Sequence, residues 1–499
     1  MPLTPDLPEF CRLAEQGNLV PVYCELAADY ETPLSAFQKI DDGAFSFLLE
    51  SAEKTDIAGR YSFLGSAPRA VFEARGHRVK ITEGGEAREF ESAAKDPLRD
   101  LEDLMARFKP VPHGDLPVFY GGAVGYLAYD TVRYFEPTVP APPKDELGVP
   151  DAIFMIADTV LIFDHKFRKI LVVANALIGE GASAEEAYAE AGARIADLIE
   201  KLGQPLHLKP MELAGSAAGN VAVPPSNTSR DEYLAMVEAA KEYIRAGDIF
   251  QVVPSQRFEV PYPGDPVDLY RSLRHVNPSP YMFCLKFPGG FSLVGSSPEV
   301  HVRAIGERID IRPIAGTRWR GKTAEEDQAL ADELLADPKE RAEHIMLVDL
   351  ARNDVGRAAE FGTVSVDDLM IIERYSHVMH IVSNVSGKLR PDCSAYDVMR
   401  ATFPAGTVSG SPKVRAMQII NELEKSKRCA YAGAVGYFGF DGNLDSCIAL
   451  RTCVVKGGNA YVQAGAGIVA DSVPESEYQE TVNKAMGMIR AIERAKAMG

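Results

Sequence analysis

Several things are missing from this chain. No run of about eighteen consecutive apolar residues occurs, and the N-terminus MPLTPDLPEF has neither a basic opening nor an apolar stretch behind it. These absences predict a soluble, cytoplasmic protein. Basic runs are missing too: the net charge is −18, and no local cluster of Lys and Arg offsets it. So acidic a surface argues against nucleic-acid and anionic-membrane partners, and an anionic substrate would need positive charge built into its own site. The seven cysteines, Cys11, Cys24, Cys284, Cys393, Cys429, Cys447 and Cys453, are odd in number and never spaced CxxC, which excludes a full disulfide frame and a zinc motif. No internal repeat of about 20 to 50 residues is visible. The glycine-punctuated stretch 121–130 lacks the strand-helix context and acidic partner of a dinucleotide fingerprint.

What is present is length and pattern. A chain of 499 residues, 46% hydrophobic, exceeds one simple core and calls for two domains or one large layered unit. Short apolar strands are expected at 19–23, 46–51, 61–65, 70–73 and 78–81, with a hairpin of 153–163 and 169–174. Helices are expected at 97–109 and 182–202. Gly, Pro, Ser and Asn scattered over 203–228 mark a linker, which divides the chain into regions 1–220 and 221–499. In the second region Ser229 can cap a helix over 230–246 that Gly247 ends. Further helices are expected at 267–274, 323–336, 339–353, 395–403, 412–425 and 475–495. Strand pairs at 282–287 with 291–295, and at 432–440, 445–455 and 459–469, lie between them. Hairpins alternating with helices give an α+β class with antiparallel sheets, not a Rossmann or barrel pattern.

The stretch KERAEHIMLVDLARND at 339–354 places Glu340 and Glu343 on the helix face that also carries Leu347 and Leu350. Carboxylates turned toward a core need a partner, and a hard divalent cation is one common solution. A second pair, Glu477 and Glu480, has the same spacing, with Lys484 one turn on. Facing helices would make a Mg²⁺ site; as solvated faces they would instead close i, i+4 pairs, Glu340 with His344 and Glu480 with Lys484.

Five segments occur in one order along the chain: GDIFQVVPS at 247–255, PIAGTR at 313–318, the Glu343 helix, GTVSGSPK at 406–413 and QAGAG at 463–467. Together they resemble the chorismate-utilising enzymes, weakly before residue 220 and densely after it, most of all the members that form anthranilate. The resemblance implies a layered sandwich of antiparallel sheets with helices outside. It also implies a reaction in which ammonia attacks C2 of chorismate, the C4 hydroxyl leaves, and pyruvate is then eliminated. Glu343 and Glu480 match the family's Mg²⁺ ligands, with Glu340 and Glu477 supporting them. His380 in YSHVMH matches the catalytic histidine, with His377 three residues away as its nearest confusion. Glu299 in GSSPE matches the general acid for the departing hydroxyl, and Thr407 a polar partner. Gly316, Thr317, Tyr431, Arg451, Gly465, Gly467 and Lys484 match substrate-binding positions; Arg451 and Lys484 would meet carboxylates, and the glycines would let backbone N–H groups approach the ligand.

Two positions choose within the family. Water-adding relatives carry a lysine where Gln251 stands, and relatives making aminodeoxychorismate carry a nucleophilic lysine where Ala315 stands. Ammonia itself is therefore the expected nucleophile. No cysteine sits in a Gly-x-Cys-x-Gly elbow. The ammonia is thus expected from a separate glutamine amidotransferase subunit, in a heterotetramer of two synthase and two glutaminase chains. LLES at 48–51 and NPSPYM at 277–282 match the segments that hold L-tryptophan in feedback-inhibited members, with Glu50, Ser51, Asn277, Pro280, Tyr281 and Met282 as its expected contacts.

Overall fold

The computed structural model describes residues 2–52, 59–111, 114, 116–142, 144–179, 181–206, 211, 221–375 and 378–498. His377 and half of the expected linker 203–228 lie outside the described residues. Among those described, the strands form two large antiparallel sheets and one two-stranded ribbon. The first sheet has ten strands, from Leu19–Ala27 at one edge to Ser255–Pro261 at the other. The second has twelve; Ile314–Trp319 and Ser365–Arg374 both pair with Val378–Lys388 at one end, and Glu86–Glu91 closes the other.

Large apolar side chains from both sheets, among them Phe47, Tyr126, Met155, Phe283 and Leu293, meet in one core between them. Helices Ala184–Leu202, Pro266–Val276 and Pro474–Lys496 cover the outer face of the first sheet, and Pro338–Gly356 and Ala395–Thr402 that of the second, while Arg230–Arg245 packs on Pro474–Lys496 and Lys413–Leu423 on the two-stranded ribbon. The architecture is the expected α+β sandwich with helices outside. Both sheets draw strands from either side of residue 220: Ser46–Glu50 pairs with Tyr281–Phe287, and Gly122–Leu127 with Ala434–Gly439. The boundary at 220 is therefore a division of sequence and not of hydrogen bonding.

The helices follow their sequence signals closely. Ser229 accepts from Glu232 N–H in a capping box that opens Arg230–Arg245, and Gly247 follows at φ +85°. Asp337 caps Pro338–Gly356 by accepting from the N–H groups of Lys339 and Glu340. No helix among the described residues is long and apolar enough to cross a membrane, and the seven cysteines are free.

The strands depart from expectation at their ends. The single strand expected at 153–163 is two: Ala152–Ala157 belongs to the second sheet and Thr159–Asp164 to the first. Asp158 makes the break. Its carbonyl accepts from Asn175 N–H at 2.7 Å and its carboxylate pairs with Arg194 at 2.7 Å, so it serves the joint and not a ladder. The strand expected at 445–455 divides likewise into Leu444–Ile448 in the second sheet and Thr452–Lys456 in the first. A third crossing, at Pro298 and Glu299, joins Phe291–Ser297 to Val300–Ile305. The apolar run around the first joint is nearly unbroken because Ala152–Ala157 and Thr159–Asp164 are buried along almost their whole lengths.

Candidate active site

Two of the crossings lie side by side and open a cavity of about 570 Å³ between the sheets' ends and the helices Pro338–Gly356 and Pro474–Lys496. Each catalytic, substrate and metal position expected from the sequence lines it. The crossings are bonded to one another: Ile448 N–H donates to Glu299 O at 3.0 Å and Ser296 N–H to Arg451 O at 3.1 Å. This pairing aims two side chains of opposite charge into the same space.

Arg451 takes a left-handed backbone, φ +46°, which a non-glycine residue adopts only where the surroundings dictate it. Among the described residues its guanidinium makes no hydrogen bond or ion pair, and burial pulls its pKa down, with Glu299 pulling it back. A half-buried cation facing a cavity, with no hydrogen-bond or ion-pair partner among the described residues, is suited to bind an anion. Glu299 is 9% exposed, and burial pushes its pKa up to about 7 against the opposing pull of the Thr407 hydroxyl, which donates to it at 2.8 Å, and of Arg451 and Lys484. A carboxyl group poised there holds a proton near neutrality and can release it.

His380 stands on Val378–Lys388 opposite Thr317, where a register shift between Ala315 and Thr317 bulges the partner strand at Gly316, φ +64°. The bulge turns the Gly316 carbonyl toward His380 Nδ1 at 2.9 Å, with Thr317 Oγ1 at 3.1 Å. A carbonyl only accepts, so Nδ1 carries the proton and Nε2 is left with its lone pair. Burial, with Arg451 adding to it, lowers the imidazole pKa against the opposing Gly316 hydrogen bond and favours the neutral ring.

The opposite wall is acidic. Glu343 is pushed up by burial and then by the neighbouring charges of Glu340 and Glu480, and it accepts from Gln251 Nε2 at 3.3 Å. Glu477 is raised by burial and by Glu480. Mutually repelling carboxylates in a half-buried site are the donor set a hard divalent cation satisfies. As the side chains stand, no three His, Cys, Asp or Glu groups among the described residues converge closely enough to hold a metal. Glu480 is engaged by Lys484 at 2.7 Å and Glu340 by Arg318 at 3.1 Å, so the donors fit the ion in kind and must leave these cations to reach it. Of the two surface pairs weighed from the sequence, Glu480 with Lys484 forms; His344 is instead buried against Ser383 Oγ at 2.7 Å.

The two glycines of QAGAG serve packing as well as access. A Cβ on Gly465 would lie 2.8 Å from both the Pro254 carbonyl and the Tyr431 hydroxyl, and one on Gly467 2.8 Å from Gln251 Nε2. Burial pushes the Tyr431 phenol up to about 12, so it enters the cavity wall uncharged. Sequence reasoning missed Gln463, whose Nε2 donates to Ser255 Oγ at 2.8 Å, and Lys339, which pairs with Asp471 at 3.0 Å. Both line the cavity. The Gln463 signal was at hand, a polar residue inside a strand of apolar neighbours.

A second cavity, of about 170 Å³, is lined by Glu50, Ser51, Pro280, Tyr281 and Met282. Asn277 does not line it; its N–H closes helix Pro266–Val276 on Leu273 O and its side-chain amide lies 3.5 Å from Ser296 Oγ. Arg303, Arg312 and Asp445 complete the wall unforeseen, with Tyr281 donating to Asp445 at 2.9 Å. Glu50 already accepts from Tyr270 and lies 3.5 Å from Arg274. Pro298 and Ile314 line both cavities.

Comparison with known proteins covers nearly the whole molecule. Residues 45–490 match the family described as chorismate binding enzyme. Anthranilate synthase component 1 of Acetivibrio thermocellus is 47% identical over 98% of this chain and 99% of its own, and that of Pseudomonas putida 48% identical over 98% of each. The crystal structure of anthranilate synthase component I from Streptococcus pneumoniae TIGR4 superposes with a TM-score of 0.76 at 37% identity, over 93% of this chain and 98% of that one. Likeness at this level along both lengths leaves one placement: the chain belongs to the chorismate binding enzymes and stands among the component 1 chains of anthranilate synthase.

Proposed function

We infer that the protein converts chorismate and ammonia to anthranilate, pyruvate and water. The observation that carries this reading is a buried Glu299, its pKa raised to about 7, in the same cavity as an Arg451 without a partner among the described residues, with neutral Gln251 and Ala315 in the wall. Arg451, with Lys484, offers the charge that binds substrate carboxylates. Glu299 gives its proton to the C4 oxygen, which leaves as water while ammonia bonds to C2 and the ring double bonds shift. His380 Nε2 then takes the C2 proton; the C3–O bond breaks, the ring becomes aromatic, and the enolpyruvate takes up the proton as pyruvate. Thr407 orients Glu299 throughout, and the Gly316 carbonyl keeps His380 in the tautomer its step needs. Neither Gln251 nor Ala315 can deprotonate water or attack in place of ammonia.

Glu343 and Glu480 are the side chains that would hold Mg²⁺, with Glu340 and Glu477 behind them, and the ion when bound would supply positive charge for a substrate carboxylate. Every residue lining the larger cavity falls within 221–499, which supports taking that region as catalytic and 1–220 as structural and regulatory. The smaller cavity is our candidate for L-tryptophan. Its wall shared with the larger one at Pro298 and Ile314 supports feedback inhibition through Glu299 and the Gly316 bulge. Ammonia in the cell would come from a glutaminase subunit, two of each chain assembling together.

The test is purified chain with chorismate, magnesium chloride and an ammonium salt, followed by anthranilate fluorescence. Turnover should need both the ammonium and the magnesium, and glutamine should not substitute. Glutamine-driven turnover by the chain alone, or accumulation of aminodeoxychorismate, rejects the reading.

A further inference from the structure

Arg428 does not line the cavity and is 2% exposed, yet it touches what the cavity is made of. Its Nε and Nη2 donate to the two oxygens of Glu424, Nη1 donates to Val408 O at 2.9 Å, and Nη2 also to Val253 O. Its guanidinium carbon lies 4.6 Å from the ring centre of Tyr129 and 5.5 Å from that of Tyr431. Val253, Val408 and Tyr431 are cavity wall, and Thr407, the residue before Val408, is the one that holds Glu299. Glu424 extends the reach. It accepts from Ser255 N–H and Oγ, both at 2.8 Å, and Ser255 Oγ in turn accepts from Gln463 Nε2 at 2.8 Å. One buried ion pair thus fixes four wall segments that are far apart in sequence.

Buried ion pairs seldom raise stability over apolar residues of the same volume, because desolvation consumes the attraction. What a planar fork adds is direction: it can hold two carbonyls and a carboxylate at set angles, which a lysine cannot. We propose that Arg428 is a positioning residue for the reaction, holding the Val408 and Val253 carbonyls so that Thr407 aligns Glu299 and Tyr431 meets Gly465. The inference rests on the reading of Glu299 as the acid.

Two variants test it. Arg428→Lys keeps the charge opposite Glu424 and loses the fork; the double variant Arg428→Met with Glu424→Met removes both charges and leaves neither stranded. Both should melt cooperatively, with kcat lowered about tenfold or more and KM for chorismate changed less than about threefold. Infrared titration of the Glu299 carboxyl, referenced to Glu299→Gln, should show its midpoint moved upward in both, since Thr407 no longer stabilises the anion. A kcat within twofold of the parent together with an unmoved midpoint overturns the proposal. If the parent itself makes no anthranilate, the functional reading falls. The infrared midpoint, which needs no substrate, then decides on Arg428 alone: moved upholds its positioning role, unmoved ends it.

Discussion

Ile448 donates its backbone N–H to the carbonyl of Glu299 at 3.0 Å, across a sequence distance that no local motif spans. That bond fixes Glu299 to the crossing that ends in Arg451. The left-handed turn at Arg451 and the burial that raises the Glu299 pKa are thus two parts of one joint.

The acid's titration gives a rate prediction with a definite sign. Glu299 must be protonated to act, and burial holds its pKa at about 7. Turnover should fall as pH rises through neutrality, and Glu299→Gln should lose activity by about two orders of magnitude or more at any pH. A pH–rate profile flat from pH 6 to 9 would contradict the role.

The same shift sets a stability prediction. A carboxyl whose folded pKa lies above its unfolded one contributes stability that is complete below the ordinary carboxylate range and is lost as pH rises through about 7. Between pH 6 and 8.5 the parent should therefore lose on the order of 1 kcal/mol more than Glu299→Gln, measured by denaturant melts at both pH values. Equal losses would place the Glu299 carboxyl in water.

At the acidic wall, Glu480→Gln removes one oxygen donor and an ion pair whose members are each nearly half exposed, 45% and 46%. A pair so exposed is worth less than about 1 kcal/mol, so melting without metal should stay near the parent's. Magnesium affinity by calorimetry and turnover should both collapse. Retained magnesium binding would leave the second carboxylate helix as a solvated face.

In the smaller cavity, Ser51→Phe should remove inhibition by L-tryptophan while leaving turnover at saturating chorismate near the parent's. Met282→Thr should weaken the inhibition less and lower the melting temperature, because Met282 is 3% exposed and belongs to the core. Coupling must be reciprocal: chorismate should weaken tryptophan binding by the factor tryptophan weakens chorismate's. A Ser51→Phe inhibition curve unchanged from the parent's moves the regulatory site elsewhere.

Gly465→Ala brings a Cβ within 2.8 Å of the Pro254 carbonyl, a backbone atom with little freedom to give, and of the Tyr431 hydroxyl. It should cost about 1–3 kcal/mol in urea denaturation and lower kcat together with it. A fully stable, fully active variant would show that the strand relaxes without cost.

The helices and the carboxylate pair of Pro338–Gly356 were legible in the sequence for a shared reason, while the other residues that line the larger cavity came from the resemblance of ordered segments. Capping at Ser229 and the spacing of Glu340, Glu343, Leu347 and Leu350 are local patterns, written within one or two turns. The sheet crossings were not legible. Asp158 and Arg451 break their strands while their carbonyls accept from the N–H groups of Asn175 and Ser296, and the apolar run around Asp158 continues as if nothing happened. The hairpin of Ser365–Arg374 and Val378–Lys388 escaped notice for another reason: its outer strand is largely exposed and bulged at Met370, φ +55°, so its polar and apolar residues do not alternate cleanly. Asn277 shows the limit of a matched segment, since its neighbours Pro280 and Met282 reach the smaller cavity while it turns to close a helix.

Because the chain passes from sheet to sheet at Glu299 and again at Arg451, neither sheet alone contains an active site, and no half-built version of it can exist. Competence has to arrive late in folding, when the two layers dock and joints about 150 residues apart close against each other. In refolding from urea, far-ultraviolet circular dichroism should recover first, and anthranilate production should return only with the slow phase in which the shared core excludes water.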